Sequence, residues 1–350
     1  MRSFYRSLKS PLRSPRRRAH RFSGYGMFGG VACAVLVVCI GLNSQTEKPL
    51  LPAPPPLGTL VDLGGYRVHV YCTGSGNPTV FIVGGAFSFD WDLVQGSVAE
   101  FTRVCSFDPS GTAWSDSFQS AVRALDPNAP PHSIPTCGDR VAEIRRVITS
   151  AAVESPYVLV GFSVGALWER LYAAHYPAGI VGMVIVDQAF LPDNKVTGGY
   201  RPPSAPIVAG SNSRPVLITQ APLLLGFEDD VNFGKLPQRD QQLHWWALTR
   251  DPVRPDEAMA VDCFAQIDNA IGNHPYPLRD MPLTVIRTEN GSPAYAEMQA
   301  KLLSLSRRSR QVIAWNSSHM VPIDEPEAIV SAVQTMVEFT REPKSENERH

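Results

Sequence analysis

The sequence lacks the spacings that metal sites need. Its 350 residues contain no Cys-x-x-Cys pair and no cluster of histidines, so no metal is expected. No internal repeat is visible either. Acidic side chains are absent from residues 1–42, which carry eight basic ones: Arg2, Arg6, Lys9, Arg13, Arg16, Arg17, Arg18 and Arg21. The formal charge of −1 therefore hides an asymmetry, because the remaining chain holds 24 basic against 33 acidic residues, a net of −9. A mildly acidic body argues against nucleic acid as a partner. Length and a hydrophobic content of 44% suit one large core or two small ones.

The basic head (1–24) is followed by a charge-free apolar segment, residues 25–42, centred on Val31-Ala32-Cys33-Ala34-Val35-Leu36-Val37-Val38-Cys39-Ile40. Eighteen helical residues reach roughly 27 Å, close to the hydrocarbon thickness of a bilayer. The arginines in front would keep the N-terminus cytoplasmic and send the rest across. The expectation is an uncleaved signal anchor and an extracytoplasmic domain. A cleaved signal peptide, giving a secreted protein, is the competing reading; Leu42-Asn43-Ser44 is a poor cleavage site. Residues 43–58, with Pro54-Pro55-Pro56, read as a stiff spacer. Four cysteines then lie in the domain: Cys72, Cys105, Cys137 and Cys263. An oxidising compartment permits disulfides among them in three connectivities that sequence does not rank. Cys105, inside an apolar run, reads as a buried small hydrophobe.

From residue 59 onward apolar strand runs alternate with helical patterns. Strand runs stand at 67–72, 79–83, 103–107, 157–160, 181–186, 283–286 and 311–314. Helices are expected at 139–152, 164–176, 294–306 and 325–340. Such alternation implies a mainly parallel sheet with helices on both faces, whose ligands bind beyond the carboxyl ends of the strands. Residues 188–280 interrupt the rhythm and read as an inserted helical cap, with helical runs at 238–249 and 255–271. Its Trp245 and Trp246 are read as packing the cap's own core. The core is thus 59–187 with 281–340, and 341–350 is a charged, loose tail.

The chemistry centres on Gly161-Phe162-Ser163-Val164-Gly165, set between a strand run and a helical pattern. A serine on so sharp a turn projects its hydroxyl from the sheet edge beside unbonded backbone N–H groups. It needs a base. Of eight histidines, His319 follows the last strand and precedes the final helix, at the same sheet edge as Ser163. The carboxylate that would orient it is either Asp187, after the sixth strand, or Glu289, after the seventh. Asp108 is a third acid nearby and reads as structural. Two backbone N–H groups, from Val164 and from Gly85 in the turn Gly84-Gly85-Ala86-Phe87, would bind an oxyanion.

Together these residues resemble the α/β-hydrolase superfamily over about 60–340. Within it, His69–Gly74, Thr102–Asp108, Trp114-Ser115-Asp116 and Gly161–Leu167 are similar to segments of bacterial capped serine hydrolases. The resemblance implies an eight-stranded α/β-hydrolase fold, a Ser-His-acid triad, no cofactor, and hydrolysis of an ester or related acyl bond in a small-molecule substrate. Two departures matter. Val83-Gly84 stands where many relatives have His-Gly, and Gly291 stands where many place the acid after the seventh strand. The second shifts the acid to Asp187, with Glu289 in reserve. The expected activity is a carboxylic ester hydrolase using Ser163, Asp187 and His319. An amidase, peptidase or lactonase with the same triad, or a non-catalytic binding protein on this fold, are the alternatives.

Overall fold

The computed structural model describes residues 53–128, 135–190, 233–248, 257–272 and 274–342. The expected basic head, the apolar anchor, spacer residues 43–52, cap residues 191–232 and 249–256, and tail residues 343–350 lie outside the described residues. Among the described residues no helix is long and apolar enough to cross a membrane.

Eight strands form one sheet: β1 (Thr59–Asp62), β2 (Arg67–Thr73), β3 (Thr79–Gly84), β4 (Val104–Asp108), β5 (Tyr157–Phe162), β6 (Ile180–Val186), β7 (Leu283–Thr288) and β8 (Ser309–Ala314). Their order is β1-β2-β4-β3-β5-β6-β7-β8. β1 and β2 pair antiparallel, as do β2 and β4; every other pairing is parallel. β3, β4 and β5 are buried at every position, as their unbroken apolar runs require of strands covered on both faces. Successive side chains enter opposite cores. Val80, Ile82, Val158, Val160, Phe162 and Val184 join one. Phe81, Val83, Leu159, Met183 and Ile185 join the other. Each such side chain contributes about 1.5–3 kcal/mol relative to exposure.

The helices among the described residues are α1 (Asp92–Ala99), α2 (Phe118–Leu125), α3 (Cys137–Ser150), α4 (Val164–His175), α5 (Gln238–Leu248), α6 (Glu257–Ile271), α7 (Pro293–Lys301), α8 (Val321–Asp324) and α9 (Pro326–Arg341). α1 and α9 pack into the first core and α3, α4 and α6 into the second. β3 and β5 are neighbours, yet the helices that follow them, α1 and α4, leave to opposite faces. That divergence opens a crevice at the carboxyl ends of the two strands.

Several expectations are corrected. Strand β1 and helices α1 and α2 had no counterpart in the sequence patterns; α1 is eight residues with Gly96 inside it. α3 begins at Cys137 rather than Asp139, because Thr136 and Asp139 bond each other's backbone N–H in a capping box. Cys105 is not a free thiol: it is joined to Cys72, its antiparallel partner on β2. Cys137 and Cys263 form a second disulfide, which ties α3 to α6. α6 was read as cap, but Met259, Ala260, Cys263 and Ile267, spaced along one helix face, enter the second core. Trp246 reaches out of the insertion: among the described residues its ring lies 5.0 Å from that of Trp114 in the main domain. The spacer is not a free arm at its described end. Trp114 Nε1 donates to the Pro54 carbonyl at 2.7 Å, and Gly58 N–H donates to His69 Nε2 at 2.8 Å.

Candidate active site

Ser163 stands alone between the last residue of β5 and the first of α4, at φ 53° and ψ −118°. A side chain at positive φ is strained by about 1–3 kcal/mol and persists only where its surroundings fix it. Here Ser163 N–H donates to the Val186 carbonyl at 3.0 Å, and Ala189 N–H donates to the Ser163 carbonyl at 3.1 Å. The serine is thereby locked to the end of β6. Gly165 lets α4 approach the turn after β3: a β-carbon there would come within 2.5 Å of the Gly84 carbonyl oxygen. Gly85 has φ 102°, and a β-carbon on it would overlap the Phe162 carbonyl oxygen. These contacts bring the Gly84–Gly85 peptide against the N-terminus of α4, where the first N–H groups of a helix have no partner within it.

His319 is carried on the loop between β8 and α8. That loop is fixed by Ser318 N–H donating to Asp324 Oδ2 at 2.7 Å and Asn316 N–H donating to Glu325 Oε2 at 2.8 Å. His319 Nε2 lies 2.9 Å from Ser163 Oγ, and His319 Nδ1 lies 2.6 Å from Asp187 Oδ2. A carboxylate only accepts, so the bond to Asp187 puts the ring proton on Nδ1 and leaves Nε2 to accept from the serine hydroxyl. Asp187 Oδ1 accepts from Thr288 N–H at 3.2 Å. Asp187 N–H donates to the Ile286 carbonyl at 2.7 Å, which anchors the acid to β7. The acid is 3% exposed, so its charge faces the imidazole with little water to screen it. Such a relay can take a proton from the hydroxyl as its oxygen attacks an electrophilic carbon.

Residues 58–332 match the model of the Alpha/beta hydrolase family. The chain belongs to the alpha/beta hydrolase family. An uncharacterised protein of Schizosaccharomyces pombe is 24% identical to this hydrolase over 307 residues, covering 78% of this chain and 53% of the relative. The chain thus spans about half the length of that relative. An uncharacterised Bacillus subtilis protein is 23% identical, covering 74% of this chain and 83% of the relative. Among solved structures, the meta-cleavage product hydrolase of Pseudomonas fluorescens IP01 superposes with a TM-score of 0.55 at 14% identity, over 81% of this chain and 99% of that one. An esterase of Exiguobacterium antarcticum gives 0.53 at 16% identity, over 80% and 99%. These likenesses concern the fold.

In this α/β hydrolase Glu289 is exposed, and its backbone N–H donates to the Ala314 carbonyl at 3.2 Å; the imidazole is bonded by Asp187 instead. Asp108 is not part of this relay; its Oδ2 lies 2.7 Å from His69 Nδ1. The sequence reading missed Glu169, on α4, which is fully buried and whose carboxyl oxygens find no hydrogen-bond partner among the described residues. Burial pushes its carboxyl well above the ordinary carboxylate range, against the opposing pull of the Arg170 charge. It missed His244 as well, whose Nδ1 lies 2.7 Å from Asp90 Oδ1. The latter pair spans 154 positions and carries no periodic signal.

Proposed function

We propose that the protein is a serine hydrolase that cleaves a carboxylic ester through an acyl-enzyme. Ser163 is the nucleophile, His319 the general base and Asp187 the carboxylate that orients the ring. The N–H groups of Gly85 and Val164 receive the oxyanion. The observation that carries this reading is the unbroken relay from Ser163 Oγ through His319 to Asp187, at 2.9 and 2.6 Å. In the first half-reaction the hydroxyl oxygen bonds to the acyl carbon, its proton moves to Nε2 and then to the departing alcohol. In the second, water gives a proton to the same nitrogen and its oxygen bonds to the acyl carbon; the bond to Ser163 Oγ breaks, Nε2 returns the proton to that oxygen, and the acid leaves. The esterase named among the structural neighbours agrees with an ester as substrate.

The same reading keeps residues 25–42 as a membrane anchor, with the catalytic domain outside the cytoplasm. Supporting it are the arginines before the apolar segment and the two disulfides. A fluorophosphonate probe tests the chemistry. Wild-type protein is expected to label at Ser163 and to turn over short p-nitrophenyl esters. Ser163→Ala should lose labelling and drop kcat by about 10⁶. Full turnover by Ser163→Ala would refute the mechanism.

A further inference from the structure

The turn after β3 runs as Gly84-Gly85-Ala86-Phe87 into a 3₁₀ turn, Ser88–Trp91. Its exit is held by two consecutive peptide N–H groups, each bonded to a buried carboxylate. Phe87 N–H donates to Asp90 Oδ2 at 3.1 Å, and Ser88 N–H donates to Asp108 Oδ1 at 2.8 Å. Each carboxylate is engaged in turn by an imidazole. His244 Nδ1 lies 2.7 Å from Asp90 Oδ1, and His69 Nδ1 lies 2.7 Å from Asp108 Oδ2. None of the four residues is more than 2% exposed.

The two imidazoles come from different parts of the chain. His69 is on β2 and belongs to the sheet, whereas His244 is on α5, in the insertion between β6 and β7. The His244 ring also meets the Phe87 ring edge-on at 5.3 Å between centroids. Taking a carboxylate out of water is costly unless donors surround it. Asp90 is therefore held in place by His244 on one oxygen, and the other oxygen fixes the peptide two residues beyond Gly85. The carboxylate that His244 engages is thus the same one that caps the 3₁₀ turn at Phe87 N–H, so the insertion and the turn share one acid.

We propose that His244 is a positioning residue. Through Asp90 it fixes the Phe87 peptide and so sets the direction of the Gly85 N–H, which makes α5 part of the oxyanion-binding apparatus. The inference rests on the reading of Gly85 and Val164 as the oxyanion donors. Misplacing such a donor weakens binding of the transition state while leaving that of the ground-state carbonyl nearly unchanged.

The test uses the full chain and p-nitrophenyl acetate, a substrate too small to depend on the insertion for binding. His244→Leu keeps much of the volume and removes the donor; kcat is expected to fall about 10- to 100-fold with KM within about two-fold. His244→Asn places an amide N–H where Nδ1–H stood and should restore kcat to within about three-fold of wild type. Wild-type kcat in His244→Leu overturns the proposal, and so does an equal loss in both variants. Should His244→Leu fail to melt cooperatively, Asp90→Asn carries the test. It keeps the shape but loses an acceptor, so the same fall in kcat is expected, and wild-type kcat overturns the proposal. A wild-type protein that neither labels with fluorophosphonate nor turns over would overturn the underlying ester-hydrolase reading, and this proposal with it. That result appears before any His244 variant is made.

Discussion

Replacing Asp187 by Asn puts a number on the orienting carboxylate. Its two oxygens face two donors, His319 Nδ1–H at 2.6 Å and Thr288 N–H at 3.2 Å. An asparagine has one oxygen and one NH₂, so it can satisfy only one of them as they stand. If its oxygen keeps the His319 proton, the NH₂ is pressed against Thr288 N–H, and a buried donor is left unmatched at about 1–3 kcal/mol. If its oxygen turns to Thr288, the NH₂ faces Nδ1, which must then become the acceptor. The ring proton moves to Nε2, where it blocks transfer from Ser163. The second arrangement matches both the buried Thr288 N–H and the ring Nδ1, leaving only the less buried Ser163 hydroxyl to find a new acceptor, and is therefore favoured, but its imidazole is in the wrong tautomer. The expected loss in kcat is about 10⁴-fold, or about 5.4 kcal/mol of transition-state stabilisation. KM should change little, since the carboxylate does not touch the substrate. Steady-state kinetics on p-nitrophenyl acetate read the effect, with thermal melting as the check on folding and Glu289→Gln as the control, expected within about two-fold of wild type. An Asp187→Asn enzyme retaining a tenth of wild-type kcat, or a larger loss from Glu289→Gln, would refute the assignment.

Glu169→Gln tests the buried acid of α4. A raised carboxyl pKa means the folded protein keeps a proton that the unfolded chain releases, so this stability is complete below the ordinary value of 4.5 and is lost as pH rises. The slope is at most about 1.4 kcal/mol per pH unit; the urea midpoint of wild type should fall more steeply between pH 5 and pH 8 than that of Glu169→Gln, and parallel curves would exclude the effect. Full-length protein expressed in bacteria should stay with the membrane after alkaline carbonate washing, and a form lacking residues 1–42 should not. Recovery of the full-length chain in the wash would sink the anchor.

The proposed nucleophile and base could be picked out in the sequence because their addresses are local. Ser163 is bracketed by a strand run and a helical run, and His319 occupies the one loop between the last strand and the closing helix. The acid stood out less, because Asp187 and Glu289 both follow strands and differ only in how their loops bend. The thiol pairings were hidden for the same reason: Cys72 and Cys105 meet through strand register, and Cys137 and Cys263 across 126 positions. α6 was misread because its single apolar stripe looks the same whether it covers a cap or a sheet. The bracing pairs His69–Asp108 and His244–Asp90 join histidines from β2 and α5 to acids beyond any local pattern.

The helix that follows Ser163, α4, has α3 on one flank and α6 on another, and those two flanking helices share the Cys137–Cys263 bond. While the sulfurs are joined, the walls around α4 cannot part. On a chain-entropy estimate, closing a loop of 126 residues is worth about 5 kcal/mol. A chain whose thiols stayed reduced would have to hold those two helices around α4 by side-chain packing and the bond from Cys137 N–H to Asp262 Oδ2.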